Sequence, residues 1–179
     1  MMTRHGNALF SRATLRDLFR HMEWADGEVW RAVLVCGQAC DDPTLRGLLF
    51  HLHVVQRAFL DVWKTREVKF PDPSEFRTIA DLHAWTATYY AEARVFLAAV
   101  DDDALARRVV MPWAHELAKQ MGRMPDAPTL AETMFQVTSH STYHRGQVNT
   151  RLRSLGGQPP LVDYIAWIWF GRPAAAPPY

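Results

Sequence analysis

Two histidines four residues apart lie on one face of a long segment with helical periodicity. His140 and His144 share an apolar stripe with Val137 and Val148. Residues four apart stack about one turn from each other on one face of an α-helix. Two imidazoles placed in this way can bind one divalent metal ion from a single helix. The spacing therefore predicts part of a metal site, or alternatively two hydrogen-bonded core histidines.

A third ligand should come from a neighbouring helix, and the chain offers His51 and His53. His51 falls on the same helical stripe as Leu48 and Val55, whereas His53 is turned about 200° away from it. We therefore predict His51 as the third metal ligand and His53 as a surface or edge residue. This third histidine favours a metal site but leaves the alternative of packed core side chains open.

An ion held by three neutral imidazoles keeps one or more coordination positions open. At such a position zinc can lower the pKa of bound water to roughly 7. A thiol bound there is deprotonated by the metal. Hydrolysis and attack by a thiolate are therefore both available. Imidazole suits several metals, so we expect zinc or nickel, with iron, manganese or copper as alternatives.

The ligand rings also need partners for their second N–H groups, which are usually carbonyls or carboxylates. The acids to consider are Glu23, Asp26 and Asp163, each of which can instead be solvated or paired with Arg145. Arg145 points about 100° away from the adjacent histidine, so we expect an ion pair, for example with Asp163, in preference to substrate binding. His21 either flanks the site or serves in packing.

Three further residue types are assigned structural roles. Cys36 and Cys40 match neither a zinc ribbon nor a CxxC redox pair, so we interpret them as helix-end thiols. Gly146 is interpreted as a point of close helix approach. Tyr143 is expected at the rim of the site or on a dimer surface.

Four long amphipathic segments must position these side chains. The predicted helices run from about Thr14 to Val35, from Asp42-Pro43 to about Thr65, from Thr78 to about Val100, and from Thr129 to about Leu155. Thr14 and Thr129 each begin a possible capping box, and Gly156 should end the last helix in the left-handed conformation. Four such helices favour an all-α four-helix bundle, a fold whose core commonly holds metal sites.

The remaining segments are less regular. Residues 101–127 lose the helical period, and Val109–Met111 could form a short strand. Residues 121–128 are expected to form a loop. The aromatic tail with Trp167 and Trp169 is predicted to be a short C-terminal helix packed on the rest of the chain.

Composition limits the classes of function. The chain has 179 residues, 49% of them hydrophobic, and a formal net charge of +1, as expected for a single domain over residues 1–179. Near-neutral charge does not favour nucleic acid or an anionic membrane as a partner. No apolar run reaches the roughly 18 to 20 residues that span a bilayer. Met1–Asn7 lacks the features of a secretory signal, so we expect a cytoplasmic protein.

Several motifs together resemble one family. The stretch His140–Val148, HSTYHRGQV, closely resembles the signature of the DinB family of metalloenzymes. Leu48–Leu52 is similar to its second-helix motif, and Gly156–Tyr164 to its closing segment. Trp24–Asp26 resembles its first-helix element, with Asp where Asn is usual. Gln56 stands where many relatives have Glu.

The resemblance implies a DinB/YfiT-like bundle of up-down-down-up type, usually a homodimer, with one divalent ion bound by His51, His140 and His144. Relatives with known activities use low-molecular-weight thiols such as bacillithiol or mycothiol. The family therefore suggests a thiol-dependent S-transferase, or a related transferase, isomerase or hydrolase, acting on a small thiol or electrophile. The alternative is a non-catalytic metal-binding protein induced by stress or damage. DNA binding is not implied.

Overall fold

The structure, a computed structural model, describes residues 10–176, and this part of the chain is helical with no β-strand. Met1–Asn7, considered above for a signal, lies outside it. In chain order the helices are α1 (Arg12–Leu34), α2 (Gly37–Cys40), α3 (Pro43–Trp63), α4 (Ile79–Ala99), α5 (Asp102–Ala106), α6 (Ala114–Met121), α7 (Leu130–Ser154) and α8 (Tyr164–Trp169), with a 3₁₀ turn at Pro73–Glu75. None of the helices in this range is long and apolar enough to cross a membrane.

Local capping explains where α7 and α1 begin. The Thr129 hydroxyl accepts from the Glu132 N–H, and the Glu132 carboxylate accepts from the Thr129 N–H, which confirms the predicted capping box of α7. The capping box predicted at Thr14 is wrong. The Ser11 hydroxyl accepts from the Thr14 N–H, so α1 begins at Arg12. A hydroxyl at the N-cap satisfies an amide that has no partner within the helix.

The segment between α4 and α7 holds two short helices, α5 and α6, and the strand predicted at Val109–Met111 is wrong. Only an isolated bridge joins Arg108 to Thr129. Val109 N–H donates to Pro128 O at 2.8 Å, and Leu130 N–H donates to Arg107 O at 2.8 Å. The pairing stops there because α7 begins at Leu130 and takes the next amides into its own turns.

The four long helices share an apolar interior. α7 packs against α3 and α1, and α4 packs against the same two helices. One apolar cluster includes Phe19, Leu60 and Met134. A second includes Trp30 and Leu152. Both faces that carry the candidate histidines, on α3 and α7, are therefore fixed by packing.

The chain leaves α7 through a turn built on two glycines. Gly156 has φ +80°, as predicted for a left-handed end. Gly157 N–H donates to Leu152 O at 3.0 Å, and Gly156 N–H donates to Arg153 O at 3.1 Å. These are the two hydrogen bonds of a Schellman motif. The following helix α8 confirms the predicted C-terminal helix, and its Trp167 is fully buried.

Two further expectations concern the cysteines beside α2 and Gly146 within α7. Cys36 precedes α2 and Cys40 ends it, both as free thiols, in agreement with their interpretation as helix-end residues. Gly146, however, has nothing within 4 Å of the position that a Cβ would occupy. The interpretation of Gly146 as a point of close helix approach is therefore wrong.

We predict opposite effects for alanine at two glycines. A Cβ at Gly157 would lie 2.3 Å from Leu152 Cδ1, which is buried and cannot move away freely. Gly157→Ala should lower the free energy of unfolding by about 1–3 kcal/mol through overpacking. Gly146→Ala should raise it by about 0.5–1 kcal/mol, because glycine weakens a helix interior. Urea unfolding followed by circular dichroism measures both changes, and equal effects would contradict the assignment.

Candidate metal centre

Three imidazole rings from two helices meet at one point. One nitrogen from each of His51, His140 and His144 lies within 4.8 Å of the other two. The ring of His144 is 4.5 Å from that of His51 and 4.2 Å from that of His140, between centroids, and the third distance is 5.3 Å. α3 supplies the first histidine, and two consecutive turns of α7 supply the others. The structure therefore brings together the three predicted ligands.

The cluster lies at the edge of the interface between α3 and α7. His51 is exposed, and His140 and His144 are half-buried. Burial and the two neighbouring imidazoles lower the pKa of His140 to about 4. Partial burial, together with His144, lowers the pKa of His51. Since protonated rings cannot bind a metal, these shifts keep the lone pairs of both rings available at pH 7.

The hydrogen bonds of the cluster decide which ring nitrogens carry a proton and which are free to bind a metal. His144 Nδ1 is 2.7 Å from Gln147 Oε1. An amide oxygen only accepts, so Nδ1 carries the proton and Nε2 has the free lone pair. His140 Nδ1 is buried without a hydrogen-bond partner in the described chain. A divalent ion fits this donor set, because three close imidazoles with free lone pairs are suitable zinc ligands.

For the three candidate acids the structure shows the alternatives to orienting a ligand ring, namely ion pairing or exposure to solvent. The orienting group found is the amide of Gln147, three residues after His144. Glu23 instead pairs with Arg94. Asp163 is exposed at the beginning of α8. Only acidic residues were named as candidates, which left out Gln147, although its spacing of three residues on the same helix indicates the contact.

His53 is buried, so the prediction that it is a surface or edge residue is wrong. It is 2% exposed. The Trp30 indole N–H donates to His53 Nε2 at 2.9 Å, and His53 Nδ1 donates to Gln56 Oε1 at 2.8 Å. The buried face of α3 is wider than the apolar stripe predicted from the sequence, because α3 packs against both α4 and α7. A helix with two partners buries a wide face, which places His51 at its edge.

Gln56 connects this histidine to a buried ion pair. Gln56 Nε2 donates to Asp26 Oδ2 at 2.8 Å and to Ser141 Oγ at 3.0 Å. The Tyr90 hydroxyl also donates to Asp26 Oδ2. Arg145 Nη1 donates to Asp26 Oδ1 at 2.7 Å. The ion pair predicted for Arg145 is thus confirmed, with Asp26 from α1 as the partner, and the suggested pairing with Asp163 is wrong.

This buried polar network adjoins the histidine cluster along α7. Ser141 follows His140, and Arg145 follows His144. Because successive residues of a helix differ by about 100°, fixing Ser141 and Arg145 inward holds the two histidines at the edge. Asp26 is therefore not a partner of the ligand rings but helps to hold the helix that carries them.

His21 does not join the cluster. Its Nε2 donates to Val162 O at 2.9 Å, and its ring packs edge-on against Tyr164 at 5.2 Å. Of the two roles considered for His21, packing is the one that the structure shows. Tyr143 is 65% exposed and lies edge-on to His144 at 5.0 Å, at the rim of the cluster.

Comparison with known proteins assigns the family. The sequence profile of the DinB family matches residues 39–173 of the 179-residue chain. The chain belongs to the DinB family. No curated protein matches the sequence. The range matched by the DinB family includes His51, His140 and His144.

We predict that the buried network needs one carboxylate and one amide at positions 26 and 56, and that these two groups can be exchanged between the positions. Asp26→Asn leaves Arg145 without a carboxylate and should lower the free energy of unfolding by about 3–5 kcal/mol. Adding Gln56→Glu should restore part of that loss, because the charge returns to the same contact. Thermal or urea unfolding of both single variants and the double variant measures the coupling. If the double variant loses as much free energy of unfolding as the two single variants together, the proposed exchange is contradicted.

We also predict that the metal-free protein becomes less stable between pH 7 and pH 5. Burial lowers the pKa of His53, and the pKa of His140 is lowered to about 4. Both groups titrate near 6.5 in the unfolded chain. The unfolded state therefore binds more protons, and stability falls as the pH drops below about 6.5. Urea unfolding with a chelator measures this slope. His140→Ala should make it shallower, and an unchanged slope would contradict the assignment.

Proposed function

We propose that this DinB-family protein is a metal-dependent enzyme whose ion is bound by His51, His140 and His144. The observation that carries the proposal is the convergence of three imidazole nitrogens within 4.8 Å at a position open to solvent. When bound, the ion would supply Lewis acidity that lowers the pKa of a water or thiol beside it. Zinc or nickel is expected, with iron, manganese or copper as alternatives.

The composition of the cluster favours a thiol as cosubstrate. Within residues 10–176 the group contains three histidines and neither a carboxylate nor a cysteine. Neutral ligands leave the two positive charges of an ion uncompensated, so an anionic sulfur or oxygen from a small molecule is a favourable additional ligand. We therefore favour a thiol-dependent S-transferase. A related transferase, isomerase or hydrolase would use the same open position.

The protein supplies positioning in addition to the three ligands. Gln147 holds the His144 ring in one tautomer. Arg145 and Ser141 fix the rotation of α7 through the buried network. Such partners allow the ligand geometry to be set before the metal and the substrate bind.

We further propose the larger arrangement implied by the family: an up-down-down-up four-helix bundle forming one domain, in a cytoplasmic homodimer. The pairwise packing of α1, α3, α4 and α7 supports the bundle. Exposed aromatic side chains at Trp169 and Phe170 are suitable for a subunit contact. Light scattering after size exclusion would measure the mass, and a monomer at micromolar concentration would contradict the dimer.

We predict one divalent ion per chain in protein purified without added metal or a metal-binding tag. His140→Ala should abolish this binding, because two imidazoles hold an ion weakly. His115→Ala, at an exposed position of α6, is the matched control and should retain it. Gln147→Ala should weaken binding by about 10–100-fold through loss of the ring orientation. Elemental analysis and competition with a chromophoric chelator measure these affinities.

The same variants test the catalytic part of the proposal. Metal-loaded protein should join low-molecular-weight thiols to electrophiles in a screen followed by mass spectrometry. A chelator and His140→Ala should abolish the product, and His115→Ala should not. An ion closed by a fourth protein ligand, with no product in the screen, would instead support the non-catalytic metal-binding protein induced by stress or damage.

A further inference from the structure

A cavity lies on the other side of α7 from the histidine cluster. It has a volume of about 580 Å³ and is formed by α1, α7 and residues 160–164. Thr142 lines it and is two residues from both His140 and His144, so it points about 200° away from them. The volume is in the range of sites that bind small molecules. The cavity and the histidine cluster therefore lie on different faces of α7, with Tyr143 between them.

The polar groups in this cavity include acceptors that lack donors. Asn149 Oδ1 is buried and has no hydrogen-bond partner in the described chain. His21 Nε2 donates its proton to Val162 O. Burial lowers the pKa of His21, so its other ring nitrogen remains an acceptor at pH 7. A ligand that donates a hydrogen bond would complement the free acceptor of His21, whereas Asn149 Oδ1 itself is closed off from solvent.

Asp163 adds a negative charge that the fold itself does not use. It is the N-cap residue of α8, yet its side chain makes no capping hydrogen bond. The residue is exposed and its carboxylate forms no ion pair within residues 10–176, although it lines the cavity and acts electrostatically on His21. An N-cap aspartate normally accepts from the first turn of its helix. This carboxylate is therefore free to hold a cation.

Aromatic and charged neighbours are compatible with a cation. Phe135, Tyr143 and Tyr164 line the cavity, and aromatic rings attract an ammonium group through their faces. Arg145 also lines it, but its charge is compensated by Asp26 at 2.7 Å. The unpaired charge of the wall is thus negative.

We propose that this cavity binds a small organic ammonium ion, with its charged group against Asp163 and its apolar part against the aromatic wall. The chemical class is a primary amine attached to an aromatic or aliphatic body. This site is separate from the metal cluster, so it would serve either a regulatory ligand or a second substrate.

Isothermal titration with phenethylamine, using chelator-treated protein at pH 7, tests the proposal. Wild-type protein should bind it and should bind phenylacetate, the anionic counterpart, at least tenfold more weakly. Asp163→Asn should weaken amine binding at least tenfold while keeping a good N-cap residue, so the fold is preserved. His140→Ala should leave amine binding unchanged, since the metal cluster is not involved.

Glu23→Gln is the matched control, because it removes the same charge from a carboxylate paired with Arg94. It should leave the affinity for phenethylamine unchanged. The proposal is overturned by no binding, by equal affinity for phenylacetate, or by equal losses in Asp163→Asn and Glu23→Gln. A loss of binding in His140→Ala would place the amine at the histidine cluster and would also overturn it.

Discussion

The buried pair of Asp26 and Arg145 constrains the rest of the structure most strongly. Their side chains are 1% and 3% exposed, and their atoms approach to 2.7 Å. Taking each ion out of water costs several kcal/mol, which only a close partner offsets. α1 and α7 must therefore meet at this contact. Because Arg145 follows His144, the same contact sets the rotation of the helix that carries two of the three clustered histidines.

The direction of each hydrogen bond from Trp30 through His53 and Gln56 to Asp26 is determined. The Trp30 indole can only donate, so His53 Nε2 accepts and Nδ1 carries the proton. Gln56 must then face His53 with its oxygen and Asp26 with its amide hydrogens. Protonating His53 at Nε2 would break the contact with Trp30. A buried neutral histidine therefore supports a buried carboxylate two contacts away, which links acid sensitivity to the rotation of α7.

Local signals in the sequence predicted the long helices and the three histidines, because caps and residue spacing act within a few residues. They placed His140 and His144 on one face and identified Gly156 as a helix end. They failed where burial depends on several neighbours. His53 was misplaced because the width of the buried face of α3 depends on two packing partners. The choice of Asp26 over Asp163 as the partner of Arg145 required knowledge of where α1 lies, which no local pattern contains.

The nearby buried carboxylate lies apart from the imidazole lone pairs of the histidine cluster. An ion held by those lone pairs could therefore bind an anion from outside the chain. Asp26, the acid nearest along the network, is fully engaged by Arg145, Gln56 and Tyr90. No carboxylate of the described chain joins the three imidazoles. An ion bound there would keep its full positive charge at a solvent-facing edge, where a thiolate or similar anion can reach it. The network that fixes the contact of α1 and α7 thus also leaves the charge of such an ion to be compensated from outside the described chain.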